Sequence, residues 1–285
     1  MNESPESLVN LDRYPILALD SPRAKSLIKS CQMALEKEAL CLLPEFLTAT
    51  AVSRMTAETD DLSQHAIAQN KLRTSYGWMD NSGFEPDHPR ARLHRVRNST
   101  VTLNYVPQQS AMRQLFFWDA LTEFIRHCLG FEKLYCSADP YLALEIKSYD
   151  TGEDICWHYD TNDGVVSLLL QEPDEGGGFE YVPYLRSEED ENYDEVRRVF
   201  DGTSHRIRRP KFKPGTLVLF RGRRSMHRVA PVGQTSKPRQ ILLLSYDQKP
   251  NMVFPEPTVR AVLNPEISVH SGTPSQSPEP LNSRV

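Results

Sequence analysis

The sequence predicts an α+β fold in which a helical N-terminal half is followed by a β-rich half of the sandwich or jelly-roll kind. Three observations carry this. Apolar residues recur at three-to-four spacing in the first half, as helices with one buried face require. From about residue 140 the pattern changes to short β-branched and apolar runs separated by turn residues. Helical patterns mostly vanish there, and several short strands at such spacing argue for a sandwich or jelly roll.

Residues 1–15 are polar and read as a flexible N-terminus. Ser21-Pro22 opens the first helix, with Ser21 as cap and Pro22 at the first position, where its missing N–H costs nothing. Ala24, Leu27, Ile28, Cys31 and Leu35 form its buried stripe. Residues 40–47 read as a strand or turn, and a second helix is expected over about 48–69. Asn81 to Pro89, with one glycine and two prolines, is loop. Ser99 to Tyr105 alternates and is expected to be a strand. Leu115, Phe116, Trp118, Leu121, Phe124, Ile125 and Leu129 predict one helix over 110–129, stopped by Gly130.

Strands are expected over 142–149, 165–170, 179–182, 216–220 and 241–246. Ser187 is expected to cap a helix through Tyr193, Val196, Val199 and Phe200, placed so that it could cover a site between its flanking strands. The stretch 265–285 is rich in Ser and Pro and reads as a disordered tail. Residues 16–264 are then a single domain whose jelly-roll part spans about 140–250.

Composition narrows the function. The chain has 285 residues, 39% hydrophobic and 25% charged, as ordinary globular proteins do. A net charge of −5 gives no reason to expect nucleic acid. No apolar run reaches the eighteen or so residues of a membrane helix, and Met1 to Asn10 lacks the layout of a signal peptide. Five scattered cysteines without a CxxC pair predict free thiols in a reducing, cytoplasmic setting.

The chemistry is concentrated around Trp157-His158-Tyr159-Asp160. On extended backbone His158 and Asp160 share a face and can hold one cation. Taken alone, the pair is no more than a surface histidine beside an aspartate. The order in which other residues follow it changes that. His227 lies beyond a strand led by Pro214-Gly215, and Arg239 follows twelve residues later at the start of the last strand. Two imidazoles and one carboxylate on a β scaffold are the facial triad of non-haem Fe(II) oxygenases, which leaves three coordination positions open. A 2-oxo acid can chelate two and dioxygen can take the third. The far carboxylate of 2-oxoglutarate then needs a fixed, forked cation, which arginine supplies and lysine does not. His205 is an alternative third ligand, but no arginine follows it at a suitable interval.

From about Leu142 to Asp247, and more loosely before that, the chain resembles the Fe(II)/2-oxoglutarate-dependent oxygenases, within them the group of free-amino-acid halogenases and their hydroxylase relatives. The resemblance rests on Trp157 to Asp160, on Gly177-Gly178-Phe179-Glu180-Tyr181-Val182-Pro183 with Arg186, on Pro214 to Phe220, on His227 to Val232, and on Arg239 with Ser245-Tyr246-Asp247. It implies a double-stranded β-helix (jelly-roll) core with packed N-terminal helices. It implies His158, Asp160 and His227 as iron ligands, Arg239 as the 2-oxoglutarate anchor, and O2 as co-reactant. In the halogenases the carboxylate position is a glycine that leaves room for chloride. Here it is Asp160, which points to hydroxylation, not chlorination.

The expected substrate is a free amino acid or similar small polar metabolite, oxidised at an unactivated C–H with release of succinate and CO2. Desaturation, cyclisation, or action on a peptide or protein side chain are the alternatives within the same chemistry. A non-catalytic metal-binding jelly roll and a zinc hydrolase are the alternatives outside it, and neither needs Arg239. Substrate contacts are expected from Glu145, Asn162, Trp157 and Arg97. For each, a solvated or structural role is an equal reading. Nothing in the sequence sets the oligomeric state.

Overall fold

The computed structural model describes residues 4–77, 79–161 and 164–264. In chain order the elements are α1 (Pro22–Glu38), β1 (Leu40–Leu43), α2 (Ala49–Leu62), β2 (Ile67–Thr74), β3 (Leu93–Thr102), α3 (Ala111–Phe116), α4 (Asp119–Leu129), β4 (Tyr135–Cys136), β5 (Leu144–Tyr149), β6 (Ile155–His158), β7 (Val165–Gln171), β8 (Phe179–Val182), α5 (Tyr193–Phe200), β9 (Leu217–Phe220), β10 (Met226–Val229), β11 (Arg239–Asp247) and α6 (Glu256–Leu263).

The strands form two sheets. The large one has the order β1-β9-β7-β11-β5-β3-β2, with β4 also on β11, and the small one is β6-β10-β8. Neighbouring strands pair antiparallel throughout. This is the jelly-roll core of an α+β protein. Alternation gives the large sheet two different faces. Leu144 and Ile146, Val166 and Leu168, Leu217 and Leu219, and Leu242 and Leu244 pack against the helices, meeting Ile28, Leu35, Met55 and Phe124. The opposite face looks toward the small sheet. There Tyr149 and Ile241 meet Val229 and Val232, and Val218 and Phe220 meet Tyr181. Burying the first face gives the core its stability, at about 1.5–3 kcal/mol for each large side chain removed from water. The second face encloses the space in which the functional groups sit.

Local chemistry explains most boundaries. The Ser21 hydroxyl accepts from the Ala24 N–H at 3.2 Å, capping α1. Gly130 adopts φ +70°, a left-handed conformation that costs glycine nothing, and closes α4.

Several expectations change. The second helix stops at Leu62, not 69, because Ile67–Thr74 pairs along its whole length with β3. That cross-strand pairing is tertiary and outweighs local helix propensity. For the same reason β3 begins at Leu93, six residues before the expected strand. The helix over 110–129 is two helices, broken where Trp118 turns extended at ψ 113°. Ser187 caps only a turn, accepting from the Glu189 and Asp190 N–H groups. The helix that follows starts after Asn192 and packs Val196 and Val199 on Trp157, Tyr159 and Met226, the outer side of the small sheet. It therefore backs that sheet and does not cover the space between the sheets.

The stretch 1–15 is not loose from Pro5 onward. Leu8, Val9 and Tyr14 are buried, and the Asn10 N–H bonds the Phe46 carbonyl at 2.9 Å. The expected tail 265–285 lies outside the described residues. No helix among the described residues is long and apolar enough to cross a membrane.

Candidate metal centre

The small sheet brings the two distant histidines together. His158 ends β6, His227 lies in β10, and the two are direct cross-strand partners. Their ring centroids are 4.2 Å apart. Asp160 lies two residues past the end of β6, and its N–H bonds the Gly222 carbonyl at 3.1 Å. Its Oδ1 is 3.5 Å from His227 Nε2, and one ligand atom from each of the three residues lies within 4.8 Å of the others. A cation held at bonds of about 2.1 Å in right-angled geometry leaves neighbouring ligand atoms about 3 Å apart. The Asp160–His227 separation of 3.5 Å is already near that value, and the remaining separations, within 4.8 Å, would close on the ion.

The backbone sets the histidine tautomers. His158 Nδ1 is 2.8 Å from the Cys156 carbonyl, and His227 Nδ1 is 3.1 Å from the Ser225 carbonyl. A carbonyl only accepts, so each Nδ1 carries the proton. Both Nε2 lone pairs are thereby presented to one point. Burial, reinforced by His227 and Arg73, holds the His158 imidazole well below its usual pKa and therefore neutral, the state a metal ligand needs. Burial opposes ionisation of Asp160, but His227 and His158 outweigh it and hold the carboxyl below the usual range. Phe220 and Phe179 stand beside His227, with centroids at 4.9 and 5.8 Å, and make one wall apolar.

Gly222 went unnoticed in the sequence. A Cβ there would sit 1.8 Å from Asp160 Oδ2, so only glycine leaves room for the carboxylate. Arg73 on β2 was also missed, because it lies beyond the helix expected over about 48–69, in a stretch with no strong strand signal. Its charge acts on His158, Asp160 and Cys156.

Arg239 begins β11 and is 3% exposed. Its guanidinium lies 5.6 Å from the Tyr149 ring, and its Nη1 has no hydrogen-bond partner among the described residues. A buried, incompletely satisfied guanidinium is costly without an anion to meet it.

The expected substrate contacts divide. Glu145 faces the space between the sheets, as supposed, but its carboxylate is paired with Lys147 Nζ at 2.9 Å. Trp157 alternates away from His158 and is 4% exposed, packed behind the small sheet with Arg228 over its ring at 4.8 Å. It is core, not pocket wall. Arg97 is exposed and lies on the opposite face of β3 from Asn98, so it points away from the site. Its backbone, instead, bonds Asp154. Asn162 lies outside the described residues. His205 is exposed in the segment after α5 and joins no metal-binding group.

Comparison with known proteins agrees with the fold. No curated protein matches the sequence. The chain is similar in structure to an oxidoreductase of the 2OG-Fe(II) oxygenase family from Burkholderia pseudomallei, with TM-score 0.51 and 15% identity over 78% of this chain and 91% of that one. It is similar to SnoN, the non-haem alpha-ketoglutarate-dependent epimerase of nogalamycin biosynthesis, with TM-score 0.55 and 15% identity over 78% and 81%. A prolyl hydroxylase from Trichoplax adhaerens superposes with TM-score 0.50 and 16% identity over 79% and 90%. The family model described as Halogenase D matches residues 23–255, a span that takes in both sheets and every residue of the His158–Asp160–His227 cluster. The chain belongs to the halogenase D family and has the fold of the Fe(II)/2-oxoglutarate oxygenases.

Proposed function

We propose that the protein is an Fe(II)- and 2-oxoglutarate-dependent hydroxylase of a free amino acid or similar small polar metabolite. The observation that carries this is the combination of a clustered His158–Asp160–His227 set with Arg239, whose buried Nη1 on the same enclosed face lacks a partner among the described residues. A structural metal site or a zinc hydrolase gives no reason for that guanidinium.

The residues fit the absent groups. His158 and His227 would hold iron through Nε2 and Asp160 through one oxygen. Arg239 would take the distal carboxylate of 2-oxoglutarate in a forked pair. When bound, iron and 2-oxoglutarate supply O2 activation and C–H oxidation, releasing succinate and CO2. The chain's own contribution is positional. The Cys156 and Ser225 carbonyls fix both imidazoles, Gly222 seats Asp160, and Phe179 and Phe220 keep water from the His227 side. Arg73, which lies on the same face of β2 as Gln69, would receive a substrate carboxylate. Asp160 occupies the position that a halide needs, so oxygen transfer is favoured over chlorination. Desaturation and cyclisation would use the same site. The five free thiols suit a reducing, cytoplasmic setting.

The test is anaerobic loading with Fe(II) and 2-oxoglutarate, admission of oxygen, and a screen of amino acids for stimulated succinate formation. Asp160→Ala and His227→Ala should each abolish iron binding and succinate release. Full retention of both in either variant refutes the ligand assignment.

A further inference from the structure

The enclosed face of the large sheet carries a charge pattern that the metal chemistry leaves unused. Directly paired residues share a face. Gln69 pairs with Asn98, Thr100 with Lys147, and Thr102 with Glu145. Lys71 and Arg73 follow Gln69 at intervals of two along β2, so they join the same face. Arg239, paired with Tyr149 on β5, completes it. Besides Arg239, then, three cations and one carboxylate point into the space beside the metal cluster.

The carboxylate is already engaged. Lys147 Nζ sits 2.9 Å from Glu145 Oε2 and also donates to Thr100 Oγ1 at 2.9 Å. The Glu145 charge is thus balanced from within the chain, which leaves Lys71 and Arg73 as the surplus charge of this face, although the buried Oε2 accepts no hydrogen bond among the described residues. Lys71 donates to the Ala261 carbonyl in the last turn of α6, which satisfies one of its three donors. Burial, with Arg73 and Lys147 adding repulsion, pulls the Lys71 ammonium down to about 8.

Two acceptors complete the pattern. Gln69 and Asn98 are 4% and 2% exposed. Their amide nitrogens donate to the Val262 carbonyl at 2.8 Å and the Asp154 carbonyl at 3.4 Å. That fixes the amide orientation and leaves Gln69 Oε1 and Asn98 Oδ1 without partners among the described residues. Buried carbonyl oxygens of this kind call for a donor.

We propose that the substrate of this site is an acidic amino acid, with its ammonium on the Gln69 and Asn98 amide oxygens and its two carboxylates shared between Arg73 and the Lys71–Lys147 pair. A basic amino acid is refused, since it would bring a cation to two lysines and find Glu145 occupied. The inference rests on the oxygenase reading for the location of the site, but it is tested by binding and not by turnover.

The experiment is anaerobic calorimetry on the full chain saturated with Fe(II) and 2-oxoglutarate, titrated with L-glutamate, L-aspartate, glutarate, L-leucine and L-lysine. Saturating 2-oxoglutarate prevents the probes from reporting its own site. At least one of L-glutamate and L-aspartate should bind tenfold or more tighter than L-leucine and L-lysine. Glutarate, which lacks the ammonium, should bind more weakly than L-glutamate. Lys71→Gln should weaken the acidic ligand about tenfold. Lys147→Ala releases Glu145 and should raise L-lysine affinity about tenfold, an effect that a loss of folding cannot produce. Preference for L-leucine or L-lysine, no binding by either acidic probe, or an unchanged ranking in Lys147→Ala overturns the proposal. Binding of an acidic probe without iron-dependent succinate release would leave the charge assignment standing and remove the oxygenase reading. Succinate release stimulated by L-lysine would do the reverse.

Discussion

Gly222→Ala is the smallest change that should disable the metal centre without unfolding the protein. The added Cβ would lie 1.8 Å from Asp160 Oδ2 and 2.6 Å from its Cγ, where ordinary contact begins at 3.4 Å. The carboxylate must therefore retreat by about 1.6 Å. Metal–ligand bonds tolerate about 0.2 Å, so a displacement of that size removes Asp160 from the ligand set. Disturbing a group that merely positions a ligand costs about 10–100-fold in metal affinity. Displacing the ligand itself should reach at least the upper end, near 3 kcal/mol at 1.4 kcal/mol per decade. Folding should suffer much less, because the obstructed atoms are the end of a side chain that can rotate, and no left-handed φ is involved at Gly222. Co(II) or Fe(II) titration followed by calorimetry reads the affinity, and a thermal melt reads the fold. The steric reasoning further predicts that Gly222→Ala costs little once Asp160→Gly has removed the obstructed group, a non-additivity that neighbours in contact should show. Metal affinity unchanged in Gly222→Ala, or the same loss in both backgrounds, refutes it.

Three further outcomes follow from the site and its surroundings. Arg239→Lys should raise the KM for 2-oxoglutarate at least tenfold, because a point charge replaces a fork. Arg239→Gln should raise it further while leaving the thermal midpoint unchanged or higher, since a poorly satisfied buried charge has been removed; steady-state kinetics at varied 2-oxoglutarate with unchanged KM would sink the anchor assignment. Asp160→Gly should lose hydroxylation, with chloride transfer appearing only if the remaining pocket suits chloride, and product mass spectrometry in chloride buffer distinguishes the outcomes. Burial, with Arg92 adding repulsion, lowers the His94 imidazole to about 4 from an ordinary value near 6.5. Between those values the unfolded chain binds the proton and the folded chain does not, so stability falls as pH drops through that window. Thermal midpoints at pH 7 and pH 5 should therefore differ less in His94→Gln than in the wild type, and equal differences would contradict the assignment.

Much of this molecule was legible in the order of residues. Helix α1 declared itself through Ser21, Pro22 and an apolar stripe, all local signals. The strand at Phe179–Val182 is a short run rich in aromatic and β-branched residues entered from Gly176-Gly177-Gly178, and it falls where the structure has it. His158, Asp160, His227 and Arg239 stood out because iron and 2-oxoglutarate chemistry demands those residue types, and demands them on strands whose order in the chain is constrained. Asp160, standing where the halogenases carry glycine, is the residue on which the proposal of hydroxylation over halogenation rests. Local pattern failed where pairing partners decide. Ile67–Thr74 carries no strong β signature and becomes a strand because β3 lies beside it. The break at Trp118 leaves the apolar periodicity of 110–129 intact, so no count of spacings reveals it.

What the sequence by itself determined, then, is which residues could make up the centre, since a ligand set is a matter of residue identity and coarse spacing. Only the tertiary structure decided what surrounds it. Arg73 and Lys71 reach the site because β2 joins the sheet edge. Glu145 is spent on Lys147, and Trp157 and Arg97 face away because each strand's register points alternate side chains to opposite sides. Gly222 matters only because folding sets it against Asp160. Those relations arise between residues tens of positions apart, where sequence separation carries no distance information, and the proposed choice of substrate rests on them.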